Sequence, residues 1–369
     1  MSKRRKKKLN RRQQEIRRKR LKKRKRRRAI VIIIELIILC ILGTTAFALF
    51  KLGKMERTSL TNIKNNGLKQ TGYTNIALFG LDSRGKSLGK GNRTDTIMVA
   101  SINNETKKVK LISVYRDTML KQNGEHYDKA NAAYSVGGPE TAVNMLNENL
   151  DLDIQDYVSV NFLALADVID MVDGITVKMT DEEVVHMNNY CVETSKVTGK
   201  KYKKIEPAVA GTYKLNGVQA VSYARIRYTA GGDYKRTERQ RIVLEKTANK
   251  IKKQNLATIN KIIDKVMPEV STSFSTKEIL ALASGAFDFE LGETSGFPFD
   301  LETPDSVPGY SGSYVIPKGL EENVIKLHEF LFPDEDYTPT ETVTNISDTL
   351  INMTNVYPST TGSGTSQYE

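Results

Sequence analysis

The sequence is poor in the residues that build staples and metal cages: two cysteines and three histidines in 369 residues. Cys40 lies in an apolar stretch and Cys191 far downstream, so no disulfide framework is available and stability must come from a packed core. Cys40 also lacks the small residue that should precede a lipidated cysteine. His126, His186 and His328 are isolated, and there is no His-x-x-x-His pair, no Walker A loop and no GxSxG elbow. These absences argue against zinc hydrolases, P-loop NTPases and serine esterases. A glycosidase needs only two carboxylates, which pattern does not exclude, but it would not require the arginine clusters found below. No internal repeat is visible.

Charge is abundant and unevenly placed. The formal net charge is +13, yet residues 1–28 hold 19 of the 56 Lys and Arg with one acidic residue, Glu15. The rest carries 37 basic against 42 acidic residues, so the body is mildly acidic. Next comes Ala29 to Phe50, twenty-two residues with a single charge, Glu35. At about 1.5 Å per helical residue this spans a bilayer core. A basic flank holds its end inside the cell, which makes the tail a topology signal resting on anionic lipid rather than a nucleic-acid site. Ala46-Phe47-Ala48 resembles a signal-peptidase site, but the long apolar run and large basic region favour a retained signal-anchor. The expected layout is a cytoplasmic tail (1–28), a transmembrane anchor (29–50), a juxtamembrane linker (51–72), an extracytoplasmic catalytic domain (73–337) and a disordered Ser/Thr/Asn-rich tail (338–369).

Within the domain, Thr74–Leu81, Thr94–Ser101 and Lys108–Tyr115 read as strands, the last two joined as a hairpin by Asn103-Asn104-Glu105-Thr106. A helix is expected from Pro139, with Ala142, Val143, Leu146 and Leu150 forming one stripe. Tyr157–Val160 and Ile175–Met179 read as strands around a helix at Phe162–Met171, and 187–212 as a polar excursion. Helices are expected at Asn216–Arg227 and Asp233–Lys252, broken by Ala230-Gly231-Gly232. Others follow at Leu256–Met267, Thr276–Phe287 and Leu320–Phe330. Strands interleaved with helices predict an α/β domain with a mixed central sheet flanked by helices.

A hairpin centred near residue 105 sets residue 95 opposite about 115 and residue 93 opposite about 117. Arg93, Asp95, Arg116 and Asp117 therefore meet at one end of the sheet, with Asp82 leaving the preceding strand nearby. Arginine forks suit phosphate oxygens and carboxylates suit hydrated Mg²⁺, although such pairs also form plain surface networks. A second basic set, Arg225, Arg227, Arg236, Arg239 and Arg241, surrounds the glycine break. Arg236, Arg239 and Gln240 should share a helix face, with Arg241 pointing elsewhere. A solvated helix face is the plainer reading of that set.

Six ordered blocks carry a family resemblance: GLDSR (80–84), RTDTIMVASIN (93–103), ISVYRDT (112–118), KANAAY (129–134), LNGVQAVSYARIR (215–227) and DYKRTERQR (233–241). With the N-terminal anchor they resemble the LytR-CpsA-Psr (LCP) family over most of residues 74–250. The resemblance implies an α-β-α domain with an apolar cleft for a polyprenyl chain and a pyrophosphate at its mouth. The activity implied is a phosphotransferase that moves a glycopolymer (wall teichoic acid, capsule or similar) from undecaprenyl pyrophosphate to peptidoglycan through a phosphodiester. Its partners would be that lipid-linked glycan, the peptidoglycan acceptor and the membrane of a Gram-positive cell, without nucleic acid.

By the same resemblance, Asp82 and Asp95 are the carboxylates near Mg²⁺ (or Mn²⁺), and Asp82, Asp95 and Arg116 are the catalytic candidates. Arg84, Arg93, Arg116, Lys129, Arg225, Arg227, Arg236, Arg239 and Gln240 are the pyrophosphate-binding candidates, with Asp233 a further one. The family usually shows proline before the Arg-Asp pair, where this chain has Tyr115. A non-catalytic polyprenyl-phosphate sensor or transcriptional attenuator is the alternative the family's regulatory names suggest.

Overall fold

Side-chain alternation along three consecutive strands decides how this domain is layered, because successive residues of a strand face opposite sides of the sheet. The computed structural model describes residues 56–82, 88–285 and 288–359. The basic run 1–28, the apolar run 29–50 and Arg84 lie outside them. Among the described residues no helix is long and apolar enough to cross a membrane.

In chain order the strands are β1 (Glu56–Arg57), β2 (Tyr73–Leu81), β3 (Thr94–Asn103), β4 (Lys108–Val114), β5 (Met119–Lys121), β6 (Tyr127–Lys129), β7 (Ile154–Asn161), β8 (Ile175–Met179), β9 (Gly211–Leu215), β10 (Val270–Thr272), β11 (Glu290–Phe297), β12 (Leu301–Glu302) and β13 (Ile316–Pro317). The helices are α1 (Ala132–Leu150), α2 (Phe162–Met171), α3 (Asp181–Thr198), α4 (Gly217–Ala224), α5 (Gly232–Ile251), α6 (Leu256–Val266), α7 (Thr276–Gly285), α8 (Leu320–Leu331) and α9 (Glu341–Thr354). The main sheet runs β1-β10-β7-β2-β3-β4-β11. It is mixed: β2–β3 and β3–β4 are antiparallel, while β7–β2 and β4–β11 are parallel.

Ala77, Phe79 and Leu81 of β2, Ile97 and Val99 of β3, and Ile112 and Val114 of β4 turn to one face. They form a continuous core with Leu146 of α1, Leu327 of α8 and Leu350 of α9. The other face of β2, β3 and β7 is roofed by α2, α4 and α5. Those helices share a second core with β8, α3 and β9, built from Ile169, Val177, Met187, Val218 and Val243. Local signals explain the helix starts: Asn161 caps α2 by accepting from Ala164 N at 2.8 Å, and capping boxes open α3 (Thr180/Glu183) and α4 (Asn216/Gln219). Pro139 does open a helical stretch, which joins an earlier one across a kink at Gly138.

Three expectations need correction. The segment from 338 is not a loose tail: α9 buries Val343, Ile346 and Leu350, a stripe that Ser, Thr and Asn obscure in composition. Half of the 187–212 excursion is the continuation of α3, and Asn188 pins the remainder by pairing with both backbone groups of Ile205. Within the 51–72 linker, Thr61, Asn62 and Lys64 donate backbone N–H groups to Glu140 and Asn144 on α1. That stretch is therefore fastened to the domain.

Candidate functional site

Between the sheet and its α2/α4/α5 roof lies a cavity of about 510 Å³. Its floor is Leu78, Met98, Val158 and Val160, and Leu165, Val221, Val243 and Leu244 complete an apolar lining. Asp82, Arg93, Asp95, Arg116, Arg225, Arg227, Arg236 and Gln240 line the same cavity and give it its charged part. The volume suits a small amphiphile.

A β-bulge brings the first carboxylates there. Gly80 pairs with Thr96 but Leu81 pairs with Thr94, so Asp95 is an extra residue on β3. Strict alternation from Met98 and Thr96 would turn Asp95 toward the packed face. The inserted residue shifts the phase, so that Asp95 and Arg93 reach the cavity while Thr94 is buried. Asp82 follows, its backbone N–H donating to Arg93 O at 3.1 Å. The hairpin register is one residue away from that expected: Ile97 faces Val114, which aligns Asp95 with Arg116 rather than with 115.

Arg116 donates to Asp95 through a short charge-assisted bond and lies 3.4 Å from Asp117. Burial disfavours its charge, but Asp95, Asp117 and Asp233 outweigh that and hold the guanidinium above its ordinary pKa. Asp117 also faces Lys129 at 3.2 Å and Arg227 at 3.9 Å. Arg236 is 3% exposed and paired with Asp233 at 2.7 Å, yet its Nε has no protein partner. Burial pulls the Arg236 pKa down, and Asp233 partly offsets this. Burial likewise pushes Asp233 up, with Asp117 adding to it and Arg236 opposing. Gln240 Nε2 donates to Asp95 O at 3.3 Å, tying α5 to the bulge.

Arg225 is held by Glu193 at 3.0 Å and Thr194 at 3.1 Å, between the rings of Phe162 and Tyr190 at 5.1 and 5.7 Å. Those two aromatics carry no signal in the sequence, since α2 and α3 meet only in the fold. Tyr115 meets Tyr234 edge-to-face at 4.7 Å, joining the turn after β4 that carries Arg116 to the helix that carries Arg236. A Cβ on Gly296 would come within 2.2 Å of the Tyr115 hydroxyl, so glycine there makes room for the tyrosine. Gly231 and Gly232 have φ of 85° and 47°, which lets the chain reverse between Arg227 and α5.

Two candidates lie elsewhere. Arg239 shares a helix with Arg236 and Gln240 but does not line the cavity. It spends its donors on Glu183 at 2.8 Å, Ile226 O at 3.2 Å and Thr229 at 2.7 Å. At roughly 100° per residue, 236 and 240 are about 40° apart and 239 falls off to the side of both. Lys129 stands outside the lining, bound to Asp117 with its ammonium 4.8 Å from the Tyr314 ring centre. Arg84 is outside the described residues.

Among the described residues no three acidic, His or Cys side chains gather into a metal cage. Mg²⁺ does not demand one, because one or two carboxylates plus substrate phosphate oxygens commonly hold it. Asp82 and Asp95, hard oxygen donors on one cavity wall, fit that pattern.

An apolar cavity edged by arginines has the chemistry of a site for an amphiphile with an anionic head. The chain belongs to the LytR_cpsA_psr family, whose model matches residues 44–293. It is 31% identical over 254 residues to the Biofilm regulatory protein A of Streptococcus mutans, covering 65% of this chain and 60% of that protein. It is 29% identical over 255 residues to the polyisoprenyl-teichoic acid–peptidoglycan teichoic acid transferase TagU of Enterococcus faecalis, covering 67% and 78%. Among solved structures it resembles YwtF (TagT) of Bacillus subtilis with bound octaprenyl pyrophosphate lipid. The TM-score is 0.53 at 21% identity, covering 74% of this chain and 99% of that one, a likeness of fold. The mixed sheet flanked by helices is thus the family's architecture.

Proposed function

We propose that this chain is a phosphotransferase that takes a glycopolymer, such as wall teichoic acid or capsule, from undecaprenyl pyrophosphate and joins it to peptidoglycan. The observation that carries this reading is the continuity of an apolar floor with an arginine-lined mouth in one cavity. The floor suits a polyprenyl chain, and Arg93, Arg116, Arg225, Arg227, Arg236 and Gln240 suit the pyrophosphate. The transferase name of the Enterococcus faecalis relative and the lipid bound in the TagT structure support it.

A hydroxyl of the acceptor sugar attacks the sugar-proximal phosphorus. A new P–O bond forms, the anhydride P–O bond breaks, and polyprenyl phosphate leaves with the bonding pair. Arginines fixed before the reaction by Asp95, Asp117 and Asp233 stabilise the charge that develops, without reorganising at that moment. Asp82 or Asp95 is chemically suited to receive the acceptor proton, although a carboxylate that holds the metal is a weaker base. Arg116, held above its ordinary pKa, stays charged and donates. Mg²⁺ (or Mn²⁺), which Asp82 and Asp95 would hold, supplies further neutralisation of phosphate charge when bound. Residues 29–50 would anchor the chain as a single-pass protein with the domain outside the cell, beside its membrane-embedded substrate.

Full-length protein with Mg²⁺, a lipid-linked glycopolymer and peptidoglycan oligomers should yield a phosphodiester-linked product. Tight lipid binding with no covalent product would overturn the transferase reading. It would favour instead a sensor or attenuator, the role suggested by the name of the Streptococcus mutans relative.

A further inference from the structure

Beyond the charged mouth, the chain leaves a large aromatic side chain in water for which packing gives no reason. Tyr228 follows Arg227 directly and is 72% exposed. Its ring lies nearly parallel to that of Tyr190, 19° between planes and 6.5 Å between centres. His186, one helical turn before Tyr190 on α3, adds a third ring 6.2 Å from Tyr228 and tilted by 37°. Tyr190 is itself part of the cavity lining and carries the Arg225 guanidinium over its ring. The aromatic surface is therefore continuous with the arginines and extends from them toward solvent.

Position and chemistry together select an occupant. Resting on the transferase reading, the group covalently attached to the outer phosphate at these arginines is a sugar. A pyranose has a face of C–H bonds polarised positive by the ring oxygens and a rim of hydroxyls. An aromatic face is the negative partner for those C–H bonds, while the Tyr hydroxyls and the His ring nitrogen can bond the rim. Glu182, 3.9 Å from His186, and Arg227, next to Tyr228, flank the platform with opposite charges, so charge alone does not select a lipid surface there. We infer that Tyr228, Tyr190 and His186 form a saccharide subsite that holds the first sugar of the lipid-linked donor.

The chain has no tryptophan, so Tyr228→Trp places a single fluorescent reporter at the subsite. Full-length protein in phosphatidylcholine bilayers is titrated with a polyprenyl pyrophosphate and with the same lipid carrying one N-acetylhexosamine. The sugar-bearing lipid should bind about five- to tenfold more tightly, the scale of one aromatic contact. It alone should change the Tyr228→Trp emission. Tyr228→Ala should remove the preference and leave binding of the bare lipid unchanged. Equal binding of both lipids to the wild type, or equal weakening of both by Tyr228→Ala, overturns the subsite and leaves the transferase reading standing. Emission already shifted to short wavelength in bilayers and indifferent to sugar assigns Tyr228 to the membrane surface and also overturns it. Failure of either lipid to bind wild-type protein overturns both readings.

Discussion

On one side of the central sheet, Phe79, Ile97 and Ile112 are nearly or wholly inaccessible and sit in a continuous core under α1, α8 and α9. On the other, Leu78 and Met98, from β2 and β3 again, and Val160 of the adjacent β7 meet an opening of about 510 Å³. The residue chemistry of the two faces is alike, apolar at alternate positions. What differs is the cover: the core helices lie directly on their face, whereas α2, α4 and α5 lean on one another through a second core. Hydrophobic pattern thus tells that a face is covered without telling whether it is filled.

The packed face should tolerate truncation least. Ile112→Ala should cost about 2–5 kcal/mol in denaturant unfolding, because it leaves a void in a closed core. Val160→Ala, bordering space already open, should cost clearly less. Equal losses would mean that the cavity is closed in solution.

Next in size is a contrast between Arg116, half-buried at the cavity, and Arg239, buried beside it. Arg116→Ala should reduce transfer by about 100-fold or more, the scale of removing one preorganised donor, a loss far beyond the stability it forfeits at Asp95 and Asp117. Arg239→Ala should destabilise the fold by about 1–3 kcal/mol by leaving Glu183 Oε1 and Ile226 O without their donor, while transfer per folded molecule is kept. A transfer defect in Arg239→Ala at unchanged stability would return that residue to the site.

A smaller effect is expected from filling the cavity. Ala224→Phe, in the roof, should weaken binding of long polyprenyl pyrophosphates by about tenfold while sparing a short-chain analogue, since about 1.4 kcal/mol of apolar contact is displaced. Isothermal titration with lipids of two lengths measures this. Equal weakening of both would place the chain elsewhere.

The smallest effect concerns pH and the packed side alone. Burial depresses the His328 pKa below its ordinary 6.5, with its bond to Leu150 O opposing this. A base depressed in the fold contributes stability that is complete above the unfolded pKa and declines as pH falls below it. Unfolding followed from pH 7.5 downward should show that decline beginning near pH 6.5. His328→Gln should flatten it, and an unchanged profile would exclude His328 as its source.

Much of this was legible in the sequence because it is local. The strands β2, β3 and β4 and the glycine break follow from local pattern, and one turn brings Arg93, Asp95 and Arg116 to one end of the sheet, but Asp95 faces the cavity only through a bulge that alternation does not signal. What stayed hidden depends on partners distant in the chain. Arg239 looks like Arg236 until Glu183, 56 residues away, is seen to occupy it. Phe162 and Tyr190 become relevant only because α2 and α3 bring them to Arg225. β11 has no apolar alternation and exists because β4 offers it an edge. In α9 three apolar residues sufficed, within a composition that otherwise reads as unstructured.

Arg236 is almost fully buried with one N–H left unanswered by the protein. Such a donor carries a desolvation cost, about 1–3 kcal/mol for a buried group without a partner. An anion that meets it removes that cost in the native state and offers nothing to the unfolded chain, so ligand and fold are linked by mass action. Pyrophosphate should therefore raise the melting temperature by an amount that grows with its concentration. In thermodynamic terms a phosphate head bound there would complete the domain.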